Sequence, residues 1–201
     1  MGNPQHLEWL LEGVEAWNAS RLSQDFRPDL SFTDVRGAFL TANKIFNNQQ
    51  TPLAGVNLRQ ADLRDTFFTA SNLAKAQLQE AVLTNASLAQ SNLQYADFTG
   101  ADLQNTILLN ASFFGAKLSG TILQDAILTG ANLKEADLTL ADFSTIYNGA
   151  KGQELARPRR TDLRPSKGLT QEQIDTAKGD MDVLLPSHLR HPESWKGLLG
   201  I

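Results

Sequence analysis

The 201-residue chain has no cysteine, three histidines and two methionines. Disulfides, zinc fingers, iron–sulfur ligation and thiol catalysis are thereby excluded, and little is left for metal or proton-transfer chemistry. No apolar run approaches the roughly 18 residues of a membrane span. The start, MGNPQHLEWLLEGVEAWN, lacks the basic opening and apolar stretch of an export signal. A soluble, cytoplasmic, non-membrane protein is expected. Gly2 opens a myristoylation-like pattern, but His6 stands where Ser or Thr is required and Pro4 lies inside it. Charge of one sign is scarce too: 18 Lys+Arg face 22 Asp+Glu, a formal net charge of −4. That balance gives no general nucleic-acid footprint, and no direct nucleic-acid partner is expected. No HExxH, P-loop, GxGxxG or Ser/His/Asp order appears. The sequence offers no catalytic, cofactor-binding or metal site and reads as a non-enzyme.

What the chain has in abundance is a period. Leu58, Leu63, Phe68, Leu73, Leu78, Leu83, Leu88, Leu93, Phe98, Leu103, Leu108, Phe113, Leu118, Leu123, Leu128, Leu133, Leu138 and Phe143 are eighteen consecutive Leu or Phe at spacing five. Two residues before each, from Leu63 onward, stands Ala, Ser or Thr, and twelve of these seventeen are Ala. On an α-helix such centres would rotate by about 140° each and scatter round the cylinder. On one straight strand they would fall on alternate faces. The chain must therefore change direction every five residues, with the large centre and the small residue pointing inward and the other three outward. Only Ala, Ser or Thr fits beside several large side chains on a narrow axis. Fixing five residues costs about 5–10 kcal/mol of backbone entropy, whereas burying one Leu returns about 1.5–3 kcal/mol. Single repeats cannot stand alone, so coils must stack and hydrogen-bond as in a parallel sheet.

The copies ADLRD (61–65), SNLQY (91–95), ADFTG (96–100), ADLQN (101–105), ANLKE (131–135) and ADLTL (136–140) resemble the pentapeptide-repeat family, with its A(D/N)LXX pattern. The resemblance implies an all-β solenoid, a right-handed quadrilateral β-helix with four pentapeptides per coil. A coil of that kind is about 4.8 Å tall. One feature opposes four sides: the Phe centres 68, 98, 113 and 143 are separated by multiples of fifteen, as a three-sided coil would repeat.

Four segments are expected. Residues 1–22 form an N-terminal capping helix, with Asn3 as cap, Pro4 in its first turn and Leu7, Leu10, Leu11, Val14 and Trp17 on one face. Residues 23–52 form a degenerate first coil centred on Leu30, Val35, Leu40 and Ile45, with a loop inserted at 46–52. Residues 53–148 are the regular β-helix. Residues 149–201 are an extension containing a short helix, with Thr170 and Gln173 as its capping box and Gly179 as its stop, packing on or beside the coil. His188 and His191, with Asp180 and Asp182 nearby, lack the spacing of a metal site.

A solenoid keeps its function on its surface. At twenty residues per coil Phe67, Ile107 and Ile127 share one outward column, with Val82 and Ile122 round the corner and Leu109 and Phe114 close by. Such a patch is expected either to receive another protein or to be covered by the C-terminal tail, with Trp195 and Leu184 held against the flank. Two functions follow: a non-catalytic protein-interaction or scaffold module with an unidentified partner, in a bacterial and plausibly cyanobacterial cytosol; or, as some members of the resembled family do, binding of DNA gyrase by mimicry of B-form DNA. Asp62, Asp102 and Asp142 would stack for the second, but Val82 and Ile122 interrupt them. Monomer and homodimer both stay open.

Overall fold

A pentapeptide with one large inward side chain must turn a corner, and the backbone does so at the same place every time. In the computed structural model, which describes residues 2–24, 26–45, 50–142, 163–164, 168–176 and 183–195, every fifth residue from Gly55 to Leu140 has φ between 54° and 73°. The N–H two residues before each centre closes the corner on the preceding centre's carbonyl, as in Ala61 to Leu58 at 3.1 Å and Ala101 to Phe98 at 2.8 Å. This is a β-turn whose second central residue is left-handed, as in type II. Gly100, Gly115, Gly120 and Gly130 occupy that position without a Cβ penalty. Ordinary side chains such as Ala70, Lys75 and Leu140 adopt it as well, at about 1–2 kcal/mol each, because the stacked coils on either side over-determine the corner.

Stacking is strictly parallel at a spacing of twenty residues. Asn57 bridges Gln77, which bridges Asp97, then Lys117 and Asp137, and the same step joins Asp62 to Val82, Asp102, Ile122 and Asp142. Strands β1 (Thr51–Pro52) and β2 (Ser71–Asn72) pair in that register too. Twenty residues divided into pentapeptides make four sides. Side one is centred on Leu58, side two on Leu63, side three on Phe68 and side four on Leu73, each repeated every twenty residues. Within a repeat the centre donates to the coil above, as Leu58 does to Gln77 at 2.7 Å, and the residue before it donates to the coil below, as Gln77 does to Val56 at 2.9 Å.

The axis is dry. All seventeen described centres from Leu58 to Leu138 are at most 2% exposed, and Phe143 lies outside the described residues. The small column is buried with them, and four of its hydroxyls donate to backbone carbonyls, as Thr121 Oγ1 does to Leu118 O at 2.7 Å and Ser91 Oγ to Phe68 O at 2.7 Å, whereas the buried Ser71 hydroxyl has no partner. Phe68, Phe98 and Phe113 stand on three different sides, so the fifteen-residue spacing does not mark a three-sided coil. It brings rings together diagonally across a corner, with Phe98 and Phe113 centroids 5.7 Å apart.

Before the regular coils the expected pattern holds for two positions and then changes. Leu30 and Val35 are inward and fully buried, and Asp29 and Asp34 bridge Asp62 and Phe67 at a spacing of thirty-three. The first turn is longer because Asp34 caps a helix, accepting from Gly37 N–H at 2.8 Å. The expectation for Leu40 is corrected: the helix inserts Phe39, 2% exposed, and leaves Leu40 44% exposed. We label the helices α1 (Pro4–Glu12), α2 (Val14–Ser23) and α3 (Val35–Thr41). The single capping helix expected within residues 1–22 is two, broken at Gly13, whose φ of 119° a side chain would strain. That break lets α2 face the open edge of the first coil. Trp17 Nε1 donates to Asn57 O at 2.7 Å, while Asn18 donates to Gly55 O at 3.0 Å and accepts from Asn57 N–H at 2.8 Å. The Asn18 amide stands where a strand's peptide group would be.

The other end is met in the same way. In α4 (Gln171–Thr176) the capping box forms as expected, Thr170 N–H donating to Gln173 Oε1 at 2.9 Å. The Gln173 amide nitrogen also reaches Leu138 O at 3.1 Å and Ala141 O at 2.8 Å. Leu163, Leu169, Ile174, Val183 and Leu189 are buried. Gly168 approaches so closely that a Cβ there would lie 2.1 Å from Thr139 Oγ1. Among the described residues the tail meets the coil at Leu138, Thr139 and Ala141, and Leu184 is half-buried. The Trp195 side chain, Gly179 and most of the arginine-rich 157–165 segment lie outside the described residues.

Leu103→Asp should prevent folding, since a carboxylate would enter the dry axis unpartnered. Leu103→Ala should fold but lose about 2–5 kcal/mol to the cavity. Circular dichroism and denaturant melts read both outcomes, and a wild-type melt for the Asp variant would contradict the inward assignment.

Candidate interaction surface

One backbone donor per pentapeptide remains after the corner and the two ladders are served, and it explains the Asp/Asn column. The N–H of the residue after each centre points outward. At Asn57, Asp62, Asn72, Asn92, Asp97, Asp102, Asn132 and Asp137 the side-chain oxygen accepts from it, at 2.9–3.3 Å. This is the Asx-turn bond, made two residues along the chain. Phe67, Val82, Ile107, Ile122 and Ile127 occupy the same column and have no acceptor to offer. Each forgoes a bond of about 0.5–1.5 kcal/mol and turns an apolar group outward.

The ladder sorts these five onto two sides. Phe67, Ser87, Ile107 and Ile127 are successive bridge partners on side three. Phe67 is 53% and Ile107 40% exposed; Leu109 lies on the same side, half-buried. Val82 and Ile122 alternate with Asp62, Asp102 and Asp142 on side two. There the neighbouring polar residues reach across coils, Thr84 Oγ1 donating to Asp102 at 3.2 Å and the Gln124 amide to Asp142 at 2.8 Å. Phe114 is not part of either column. It sits at the far end of side four against Tyr95, ring centroids 5.5 Å apart and perpendicular, with Lys134 Nζ 5.9 Å from its ring.

Sequence reasoning missed what stands at the foot of side three. Leu40 of α3 and Phe67 face a hollow of about 270 Å³, lined also by Asp34, Arg36, Gly37 and Thr69. Phe32, 59% exposed, is at the adjoining corner. The only signal for this in the sequence was Asp34 three residues ahead of Gly37, a helix start inside what otherwise scans as a repeat.

Among the described residues no group of His, Asp and Glu is placed to hold a metal ion. His188 Nε2 lies 3.4 Å from Leu169 O and His191 Nε2 2.7 Å from Val183 O, so both rings serve the fold of the tail. No helix among the described residues is long and apolar enough to cross a membrane.

Among the described residues, Asp62 and Asp97 carry perturbed acidity. The Arg64 hydrogen bond holds Asp62 below the usual carboxylate range against the opposing effect of partial burial. Partial burial pushes Asp97 up, but the Thr99 hydroxyl and N–H and the Lys117 ammonium together outweigh it and leave it low. A carboxylate whose folded pKa is depressed stabilises the fold above its unfolded pKa, about 3.9 for Asp, and loses that contribution as pH falls through the folded value. Asp97→Asn keeps an Asx acceptor and removes the charge. It should be less stable than wild type at pH 7, and the gap should close as pH falls below about 3.9; urea titrations across pH check this, and a gap that persists in acid would contradict it.

The family model for pentapeptide repeats matches in eight copies, over residues 53–88, 71–108, 81–120 and 107–144. No curated protein matches the chain. Among solved structures, the pentapeptide repeat protein Rfr23 from the cyanobacterium Cyanothece 51142 is 37% identical over 43% of this chain and 58% of its own, with a TM-score of 0.43. The chain thus spans little over half of that protein. HetL, involved in heterocyst differentiation regulation in the cyanobacterium Nostoc sp. strain PCC 7120, is 24% identical over 65% of this chain and 68% of its own, TM-score 0.23. QnrB1, a plasmid-mediated fluoroquinolone resistance protein, is 16% identical over 71% and 78%, TM-score 0.33. The repeated centres, the small column, the Asx column and the family match converge: residues 53–144 are an array of pentapeptide repeats that the family's model matches, stacked four to a coil.

Proposed function

We propose that this chain is a non-catalytic protein-interaction module, acting in the cytoplasm, in which the β-helix is a rigid rod and side three is the surface presented to a partner. The observation that carries the reading is the outward column of Phe67, Ile107 and Ile127. At these positions the repeat's own backbone chemistry favours Asp or Asn, and apolar residues stand there instead, Phe67 and Ile107 exposed and Ile127 half-buried. Departure from a local rule without local compensation marks a functional surface. The helices α1 and α2 and the C-terminal extension act as caps in this proposal, supported by the Asn18 and Gln173 amides on opposite ends of the coil. A capped rod offers no strand edge for polymerisation, which leaves its faces for recognition.

Gyrase binding by DNA mimicry is the second reading, and the ladder on side two works against it. Phosphate mimicry calls for an unbroken acidic row, whereas Asp62, Asp102 and Asp142 alternate with Val82 and Ile122, and Arg64 neutralises Asp62.

A photo-crosslinking residue at position 107 should capture one saturable partner in cells, and the same group at position 119, on side one, should not. Equal capture from both positions would contradict a partner surface on side three.

A further inference from the structure

Once the coil is twenty residues long, the charges sort by side. Residues 66–70, 86–90, 106–110 and 126–130, which are side three through four coils, read TFFTA, ASLAQ, TILLN and AILTG. They contain no charged residue. The nine acids and five bases of 53–148 all fall on the other three sides. The corner leading into side three carries Asp65 and Asp125, at its lower and upper ends, with Asn85 and Asn105 between. The corner leaving it carries Ala70, Gln90, Asn110 and Gly130, all uncharged. Side three is therefore an apolar strip with no charged residue of its own, with an acidic rim on one edge and, on the other, uncharged corners, the lowest of which accepts at Ala70 O from the Arg36 guanidinium at 3.3 Å.

The dimensions of this strip select what fits. Three outward residues at about 3.3 Å each make it about 10 Å wide, and four coils at about 4.8 Å make it about 19 Å tall. Roughly 200 Å² of flat face is far below the roughly 800 Å² per partner that a stable pair of globular proteins buries, so the strip suits one narrow element better than the broad face of a second copy of this chain. Between the coils of side three the ladder is made within the rod, Phe68 N–H donating to Ser87 O, Leu88 to Ile107 O and Leu108 to Ile127 O, so an added strand finds no edge between them. An α-helix, about 10 Å across, matches the width. Its pitch of about 5.4 Å nearly matches the coil spacing of about 4.8 Å, so each turn meets one coil. Asp65 and Asp125 are three coils apart, about 14 Å, which is nine or ten residues of helix at about 1.5 Å each.

We infer that side three receives an amphipathic α-helix of about three turns from a partner protein, lying along the rod, with its apolar stripe on Phe67, Ile107 and Ile127 and Lys or Arg along the flank facing Asp65 and Asp125. The hollow between Leu40 and Phe67 takes a bulky apolar side chain at one end of that helix. This inference rests on the proposed role of side three and adds the partner's chemistry to it.

The test uses the full chain and lactam-bridged helical peptides of about fourteen residues, long enough for nearly four turns. One carries a Leu stripe with a Lys flank, the second the same stripe with a Glu flank, and the third a scrambled order. Methyl spectra should show the Lys-flanked peptide shifting Ile107 and Ile127 but not Ile122. The Glu-flanked peptide should bind about tenfold more weakly, and the scramble should not bind. Ile107→Gln should weaken binding about tenfold, as loss of a central apolar anchor does. Ala89→Lys, on the same face and away from the core, should do likewise if Ile107→Gln fails to fold. Asp65→Asn with Asp125→Asn should remove most of the salt dependence. The inference is overturned if shifts centre on Ile122 or Tyr95, if the Lys and Glu peptides bind alike, or if none binds. It is also overturned if Ile107 shifts with protein concentration alone, which marks a second copy, or shows contacts to residues 149–201, which marks the chain's own tail. Crosslinking from position 107 to a partner, together with peptide failure, would leave side three as the interaction surface and remove only the basic helix.

Discussion

The dry axis governs everything else in this molecule. Each pentapeptide places one Leu or Phe and one small residue inside, and the four that make a coil fill the interior between them. With no space left over and no water admitted, the backbone must take a corner every five residues and must satisfy its polar groups along the rod. The left-handed residue at each corner, the parallel bridges at spacing twenty and the Asx bond to the outward N–H are successive answers to that demand. Two of the five positions are committed to the interior and one to the corner, and a fourth is favoured as Asp or Asn. The surface that remains is narrow, and apolar residues upon it are conspicuous for that reason.

The ends pose the complementary difficulty, since a coil without a neighbour exposes unpaired carbonyls and N–H groups. An amide side chain meets the first and the last of the described coils: Asn18 stands in for a peptide group below Asn57, and Gln173 donates to Leu138 O and Ala141 O above. Gln173 does this while completing the capping box of its own helix, so one side chain serves both the start of α4 and its contact with the rod. Around the lower end His6, Trp9 and Phe26 form a ring cluster, with His6 to Phe26 centroids at 4.8 Å and Trp9 to Phe26 at 5.3 Å, which anchors α1 beside the coil.

Much of this was legible in the residues. Period five and the inward pair follow from spacing alone, because no regular element has that repeat. The caps at Asn3 with Pro4 and at Thr170 with Gln173 carry their usual local signatures. The number of sides was not legible, since each pentapeptide sees the same kinds of neighbour whether three or four close the coil, and the Phe spacing pointed the wrong way. Leu40 was misread because Asp34-Val35 satisfies both the repeat and a helix start; the competing cap at Gly37 N–H decided it for the helix. The apolar column was visible once twenty was assumed, but Phe114 was grouped with it because nearness in sequence does not cross a corner. The charge-free side escaped notice because its four segments are fifteen residues apart in the chain and become one surface only when the coil length is known.

Four sides are the premise on which the interior, the caps and the partner surface all depend, and the absence of cysteine makes them directly measurable. Gln77→Cys with Asp97→Cys places two thiols at bridged positions one coil apart, within the roughly 4.4–6.8 Å Cα separation a disulfide needs. Gln77→Cys with Asn92→Cys places them one coil apart only if the coil has three sides. Rapid, complete oxidation of the first pair in the folded protein, with the second pair remaining reduced, is the result expected; oxidation of the second pair and not the first would contradict the fold described here.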